Sequence, residues 1–257
     1  MPRFAANLTM MFCELPFLDR FAAAADAGFR AVEFLFPYDH PAETIRKAAD
    51  SAGLRIVLFN LPPGDWTAGE RGIAALPERA DEFSRALALG LDYARVLSVP
   101  RLHLMAGIAS AQSAPHRDRY RDAIVEAAER AGPSGIDILL EPLNGRDMPG
   151  YLLSDFGMAE DMIAGLGLPN VKLQFDIYHR QIMHGDVTEA LKTLLPLIGH
   201  VQTASVPGRN EPGTGELDDA RIFGVLDQIG YQGHVGCEYR PLSTTGEGLG
   251  WFAPWRE

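Results

Sequence analysis

Apolar runs of four to six residues alternate with longer stretches of 3.6-residue periodicity almost from end to end of this chain. The short runs predict strands over 4–12, 31–36, 55–60, 101–107, 136–141, 171–176, 199–204 and 234–239. The periodic stretches predict helices over 18–28, 41–53, 77–94, 115–132, about 155–165, about 186–196 and 217–229. Gly28 and Gly53 stand where the first two helices should stop, and Pro41 where the second should start. Gly90 is a candidate break within the third helix. Residues 61–72, "LPPGDWTAGERG", have turn chemistry and little periodicity.

Strand and helix alternate strictly, which calls for parallel neighbours joined by crossovers. Eight strands favour closure, so the expected fold is α/β, a single (β/α)8 TIM barrel over residues 1–257. The runner-up is an open doubly wound sheet. It is weakened because no G-x-G-x-x-G follows a strand. No linker or low-complexity segment divides the chain.

In such a barrel the chemistry lies at the C-terminal strand ends. There the sequence places Asn60, His103, Glu141, Asp176, Gln202 and Glu238, with Glu33 slightly inside. Four oxygen donors on four consecutive strands, Glu141, Asp176, Gln202 and Glu238, are the candidate metal set. Oxygen ligands select a hard cation, so one Mg²⁺ or Mn²⁺ is expected. The period of two then points Gln174 and His200 inward, just beneath that set. In "DILLEPLN", Pro142 should keep Glu141 extended. The bland alternatives are a helix cap for each acid, a core histidine for His103, and a loop arginine paired with Glu211 for Arg209. His184 and His234 carry no functional expectation. Trp66, one large aromatic in a Gly/Pro-bounded loop, suits a lid or a packed loop.

Composition narrows the classes. Net charge is −11, which argues against a nucleic acid partner. No uninterrupted apolar run reaches membrane length, and the N-terminus has no convincing signal-peptide pattern. Cys13 and Cys237 lie in apolar runs and read as free thiols in a reducing, cytoplasmic setting.

The segments "EFLFPYD", "FNLPPGDW", "LMAG", "EPLN", "DMPGY", "FDIYH", "QIMHGD", "VPGRNEPGTGE" and "EYRP" resemble the hydroxypyruvate isomerase family, including its 2-oxotetronate isomerase relatives, within the xylose-isomerase-like barrels. They span residues from about 33 to 241, nearly the whole chain. The resemblance implies a metal-dependent aldose–ketose type isomerase that interconverts hydroxypyruvate and tartronate semialdehyde through an enediolate. It implies that Glu141, Asp176, Gln202 and Glu238 bind the divalent metal, and that Glu141 and Glu238 are the paired acid/base groups. From the related ketose 3-epimerases it carries substrate contact to His179, three residues after Asp176. Those epimerases have a glutamate where this chain has Asp147, and a histidine where it has Gln202. Both departures favour the hydroxypyruvate isomerase branch. Given that chemistry, Arg209 is the candidate for the substrate carboxylate, with Asp147, His103, Asn60 and Trp66 as further substrate contacts. A small-molecule oxo acid is the expected partner, and the resemblance allows a homo-oligomer.

The alternative within the class is a 2-oxotetronate isomerase, or another isomerase, epimerase or dehydratase of a small sugar acid. A nuclease of the same superfamily would call for a histidine-rich zinc cluster and a basic face. A non-enzymatic, metal-dependent binding barrel would show ligand affinity without proton exchange.

Overall fold

The computed structural model describes residues 1–256. Eight parallel strands close into one barrel in sequence order: β1 Arg3–Asn7, β2 Ala31–Phe34, β3 Arg55–Asn60, β4 Arg101–His103, β5 Asp137–Leu140, β6 Val171–Asp176, β7 Ile198–Thr203 and β8 His234–Cys237. β8 pairs with β1, which closes the ring. The helices are α1 Arg20–Asp26, α2 Ala42–Ser51, α3 Ala80–Leu97, α4 Ala114–Ala131, α5 Phe156–Leu166, α6 Ile177–Met183, α7 Val187–Leu194, α8 Asp219–Gln228 and α9 Thr245–Gly248.

The alternation of side chains sorts the core into two parts. Outward residues such as Ile138, Leu140, Leu173, Phe175 and Val201 pack in the large layer between strands and helices. Ala5, Ala31, Val57, Leu58 and Leu139 form a small separate plug inside the barrel. Leu139 therefore points in with Glu141, as the period of two requires. Above this plug the inward positions turn polar.

Several expected boundaries shift. β1 ends at Asn7 rather than at residue 12, and β4 at His103 rather than at 107, because the chain leaves the ladder where the barrel rim begins. Gly90 does not break α3, which runs through it to Leu97. A side chain at Gly90 would collide with Leu61, so close packing accounts for the glycine. Gly53 does follow α2 with φ 66°, as a helix stop should. The crossover from β6 to β7 holds two helices, α6 and α7, where one was expected. The chain after β8 adds α9 and a 3-10 segment, Leu249–Trp255. Trp251, Phe252 and Trp255 pack edge-on around Phe4 of β1, at centroid distances of 5.1, 5.9 and 5.9 Å.

Candidate active site

Glu141, Asp176, Gln202 and Glu238 do converge at the C-terminal mouth of the barrel, and all four are buried. Glu141 follows β5 outside any helix, consistent with the restraint imposed by Pro142. Asp176 ends β6 and also caps α6. Its Oδ1 accepts from the backbone N–H of Tyr178 at 2.7 Å and of His179 at 3.4 Å. That leaves Oδ2 buried without a hydrogen-bond partner among the described residues, as is Glu141 Oε1.

The charges are tightly coupled. Burial, then the Glu238 and Asp176 charges, hold the Glu141 carboxyl well above the usual carboxylate range. Glu238 is pushed up to about 7, first by burial. Asp176 is pushed up to about 6, again first by burial, with Arg209 opposing the rise. Arg209 bonds Glu238 directly and stands 3.8 Å from Asp176 Oδ2 and 3.7 Å from Asp147 Oδ2. Its guanidinium lies over the Tyr178 ring, 5.0 Å from the centroid. The pairing with Glu211 that its loop suggested is replaced by these site contacts; Glu211 instead accepts from the Leu242 N–H at 3.0 Å.

His179 has a fixed tautomer. The backbone N–H of Asn144 donates to its Nδ1 at 3.0 Å, and the Asn144 side-chain amide lies 2.7 Å from the same nitrogen. A nitrogen that accepts has no proton, so Nε2 carries it. Nε2 lies 3.7 Å from Asp176 Oδ2. Burial, then Arg209 and His103, push the His179 pKa well below its ordinary value, so the ring stays neutral. Glu141, Asp176 and His179 are close enough for a shared cation, yet a protonated Nε2 makes His179 a donor to oxygen rather than a ligand.

His103 is buried, 3.4 Å from Glu141 Oε2, and burial pushes its pKa down to about 3. Neither ring nitrogen has a hydrogen-bond partner among the described residues, so it is not the satisfied core histidine of the bland alternative. Asn60 is buried at the end of β3, but its side chain makes no hydrogen bond among the described residues; its carbonyl accepts from Tyr38 Oη at 2.8 Å. Trp66 packs on Phe36 at 5.0 Å with Arg71 stacked on its ring, so it sits in a built loop. It lines a cavity of about 750 Å³ with Thr9, Leu35, Phe36 and Arg240 at the same end of the barrel. His184 pairs with Asp155 at 3.2 Å, a peripheral contact.

Beneath the four oxygens lies the expected polar layer, with a centre that the sequence reading underrated. Gln174 Nε2 donates to Gln202 Oε1 at 2.7 Å. Glu33 then receives Gln202 Nε2 at 2.7 Å, Asn7 Nδ2 at 3.0 Å and pairs with His200 Nε2 at 2.6 Å. Its room comes from Gly236 on β8, where any side chain would fall on the Glu33 carboxylate. The available signal was an acid one residue inside the end of β2.

Part of the donor set fits a hard divalent cation: Glu141 and Asp176 each keep a buried carboxylate oxygen without a hydrogen-bond partner among the described residues and lie close enough to share one, whereas Glu238, bonded to Arg209, stands outside that close group. Among the described residues no helix is long and apolar enough to cross a membrane. Both cysteines are free, Cys13 exposed and Cys237 buried.

This eight-stranded barrel with acids at its rim belongs to a known class: the xylose isomerase-like TIM barrel family, whose profile matches residues 21–255. Within it the chain is an isomerase of the hydroxypyruvate isomerase group. It is 51% identical to a 2-oxo-tetronate isomerase of Cupriavidus necator over 257 residues, covering 99% of each chain. It is 42% identical to a hydroxypyruvate isomerase of Escherichia coli over 260 residues, covering all of both. Its backbone matches a crystal structure from Brucella melitensis, described as AP endonuclease, family 2, with a TM-score of 0.98 and 47% identity over the whole of both chains.

Proposed function

We propose that this isomerase moves a proton between C3 and C2 of a small 2-oxo-3-hydroxy acid through an enediolate. The observation that carries the proposal is the burial of three carboxylates around one guanidinium, with two of them, Glu141 and Glu238, on strands three steps apart. A carboxylate whose pKa is raised toward neutrality can take a proton and give it back. Glu238, pushed up to about 7, and Glu141, raised further by burial and its acidic neighbours, are suited to that exchange. Glu141 and Glu238 are therefore assigned as the acid/base pair flanking the substrate.

The remaining roles follow from geometry. His179 Nε2–H donates to a substrate oxygen and polarises it. Arg209 holds the substrate carboxylate by charge-assisted hydrogen bonds, steadied by Asp147 and by stacking on Tyr178. His103, whose ring nitrogens make no hydrogen bond among the described residues, is left to contact substrate beside Glu141. Glu141, Asp176, Gln202 and Glu238 would hold one Mg²⁺ or Mn²⁺, which supplies Lewis-acid stabilisation of charge developing on oxygen. Glu33, through Gln202, holds the orientation of that amide.

Hydroxypyruvate and 2-oxotetronate share this reaction frame. Hydroxypyruvate gives tartronate semialdehyde; the four-carbon acid gives the 3-oxo acid and adds only a hydroxymethyl group. The four-carbon substrate is the better supported. The 51% relative bears that name. Hydroxypyruvate is the second reading, favoured by the full-length 42% relative. A nuclease reading finds little support in a chain of charge −11 whose candidate metal group among the described residues holds a single histidine.

The test is proton NMR of both acids with the protein in D₂O, with added Mn²⁺ or Mg²⁺ and again after chelation. Metal-dependent product from 2-oxotetronate, at a higher kcat/KM than from hydroxypyruvate, is the expected result. The reverse preference moves the substrate to three carbons. The absence of both product and deuterium exchange with either acid defeats the proposal.

A further inference from the structure

The opposite, N-terminal end of the barrel concentrates charge of the other sign. β1, β3 and β4 each begin with an arginine, Arg3, Arg55 and Arg101, and β8 begins with His234. These strand-start side chains surround one cavity of about 520 Å³, joined by Arg46 from α2. The chain as a whole carries −11, so four guanidiniums around one hollow run against its bulk charge.

Their own hydrogen bonds do not use them up. Arg46 pairs with Asp50, the one acid lining the cavity among the described residues, at 2.8 Å. Among the described residues the Arg3 side chain donates only to the Gln232 carbonyl. Arg3, Arg55 and Arg101 form no ion pair within 4 Å among the described residues. Arg101 Nε is buried with no hydrogen-bond partner among the described residues. Asp137 starts the neighbouring strand β5 opposite Arg101, but it does not line the cavity. The local potential is felt by His234, whose pKa is pushed down to about 4 by burial and then by Arg3, His200, Arg101 and Arg55.

We propose that this cavity binds a small multivalent oxyanion, a polycarboxylate or a phosphate compound, through the guanidiniums of Arg3, Arg55 and Arg101. Its volume lies within the range of about 300–1,000 Å³ usual for small-molecule sites. Among the described residues no Phe, Tyr or Trp lines it, so it offers nothing on which a nucleobase would stack. A long polyanion would meet the repulsion of the whole chain, whereas a compact one meets only the local arginines. Guanidinium forks suit carboxylate and phosphate oxygens alike. The apolar plug of Ala5, Ala31, Val57, Leu58 and Leu139 separates this ligand from the catalytic carboxylates.

Isothermal titration calorimetry tests the site on the full chain, treated with chelator and dialysed, with citrate and with pyrophosphate at constant ionic strength. The expected result is saturable one-to-one binding of at least one probe. Which probe binds tells a carboxylate site from a phosphate site. Arg55→Gln should weaken binding about tenfold, and Arg3→Gln with Arg55→Gln should weaken it further, each lost contact being charge-assisted. Both side chains are exposed, so these variants should fold and turn over substrate normally without added anion. Arg209→Gln should leave the binding unchanged. Absence of saturable binding with either probe overturns the proposal. So does undiminished binding in the double variant, or loss of binding in Arg209→Gln, which would place the anion at the substrate site instead.

Discussion

Glu33 Oε1 accepts a 2.7 Å hydrogen bond from Gln202 Nε2, and this bond sets which way the Gln202 amide lies. With Nε2 committed to Glu33, Oε1 is the atom left to accept from Gln174 and to serve as a ligand. Glu33 also takes Asn7 Nδ2 and meets His200 Nε2, so its two oxygens are fully used. Glu33→Gln would set a second amide donor among these groups. The expected outcome is a Mn²⁺ affinity lower by roughly 10–100-fold, the usual cost of losing a group that orients a ligand. Electron paramagnetic resonance of free Mn²⁺ measures it. Unchanged affinity would mean that Glu33 does not orient Gln202.

Gly236 faces that same carboxylate across the barrel. A β-carbon there would overlap it, and the neighbours that could yield are themselves buried. Gly236→Ala should destabilise the fold by about 1–3 kcal/mol, as overpacking does. A urea denaturation series reads the change, and a midpoint equal to the parent's would show that Glu33 can move aside freely.

The barrel was legible because β-strands and helices carry different periods, and because out-facing positions such as Ile138, Leu140 and Phe175 are apolar while their inward neighbours are polar near the rim. The same period of two pointed to Gln174 and His200 beneath the four oxygens. What stayed hidden depends on closure. Glu33 and His200 are 167 residues apart and meet only across the interior. The tautomer of His179 is set by a backbone N–H from the loop after β5, which no spacing within "FDIYH" reveals. α6 was missed because "IYHRQIM" mixes aromatic and charged residues without a clear stripe, and an Asp176 cap starts it.

Arg209 is bonded to Glu238 and stacked on Tyr178. Lysine keeps the charge but loses the planar fork and the stacking. Arg209→Lys should raise the KM for the oxo acid about tenfold or more, since hydrogen bonds to charged groups contribute about 1.5–3 kcal/mol. Steady-state kinetics with both acids checks this, and an unaltered KM would remove Arg209 from the carboxylate role.

His234 predicts how the fold responds to acid. Its folded pKa is about 4, depressed first by burial and then by Arg3, His200, Arg101 and Arg55, against an ordinary value of 6.5. Between those values the unfolded chain binds the proton and the folded chain does not, so stability rises with pH. The contribution of His234 is therefore complete above about pH 6.5 and declines as the pH falls toward 4. His234→Asn should flatten the fall in melting temperature over that window. Thermal denaturation at half-unit pH steps tests it, and parallel curves for parent and variant would contradict the assignment.

Three buried carboxylates share a single arginine, and burial raises the pKa of each. A divalent cation would relieve that crowding, and it would do so only in the folded chain, because the four donors come from four different strands. Binding to the folded state alone stabilises it by mass action, about 2.7 kcal/mol at a hundredfold excess over the dissociation constant. Millimolar Mn²⁺ should therefore raise the melting temperature of the chelator-treated protein, while Ca²⁺, which favours six to eight oxygens, should do less at four protein donors. Asp176→Asn should abolish most of the Mn²⁺ shift, because Asp176 Oδ2 is the buried oxygen left without a partner while Oδ1 caps α6. The amide oxygen can still serve that cap, so the variant's own melting temperature should stay near the parent's. A variant that keeps the full Mn²⁺ shift would place the cation elsewhere and remove Asp176 from the ligand set.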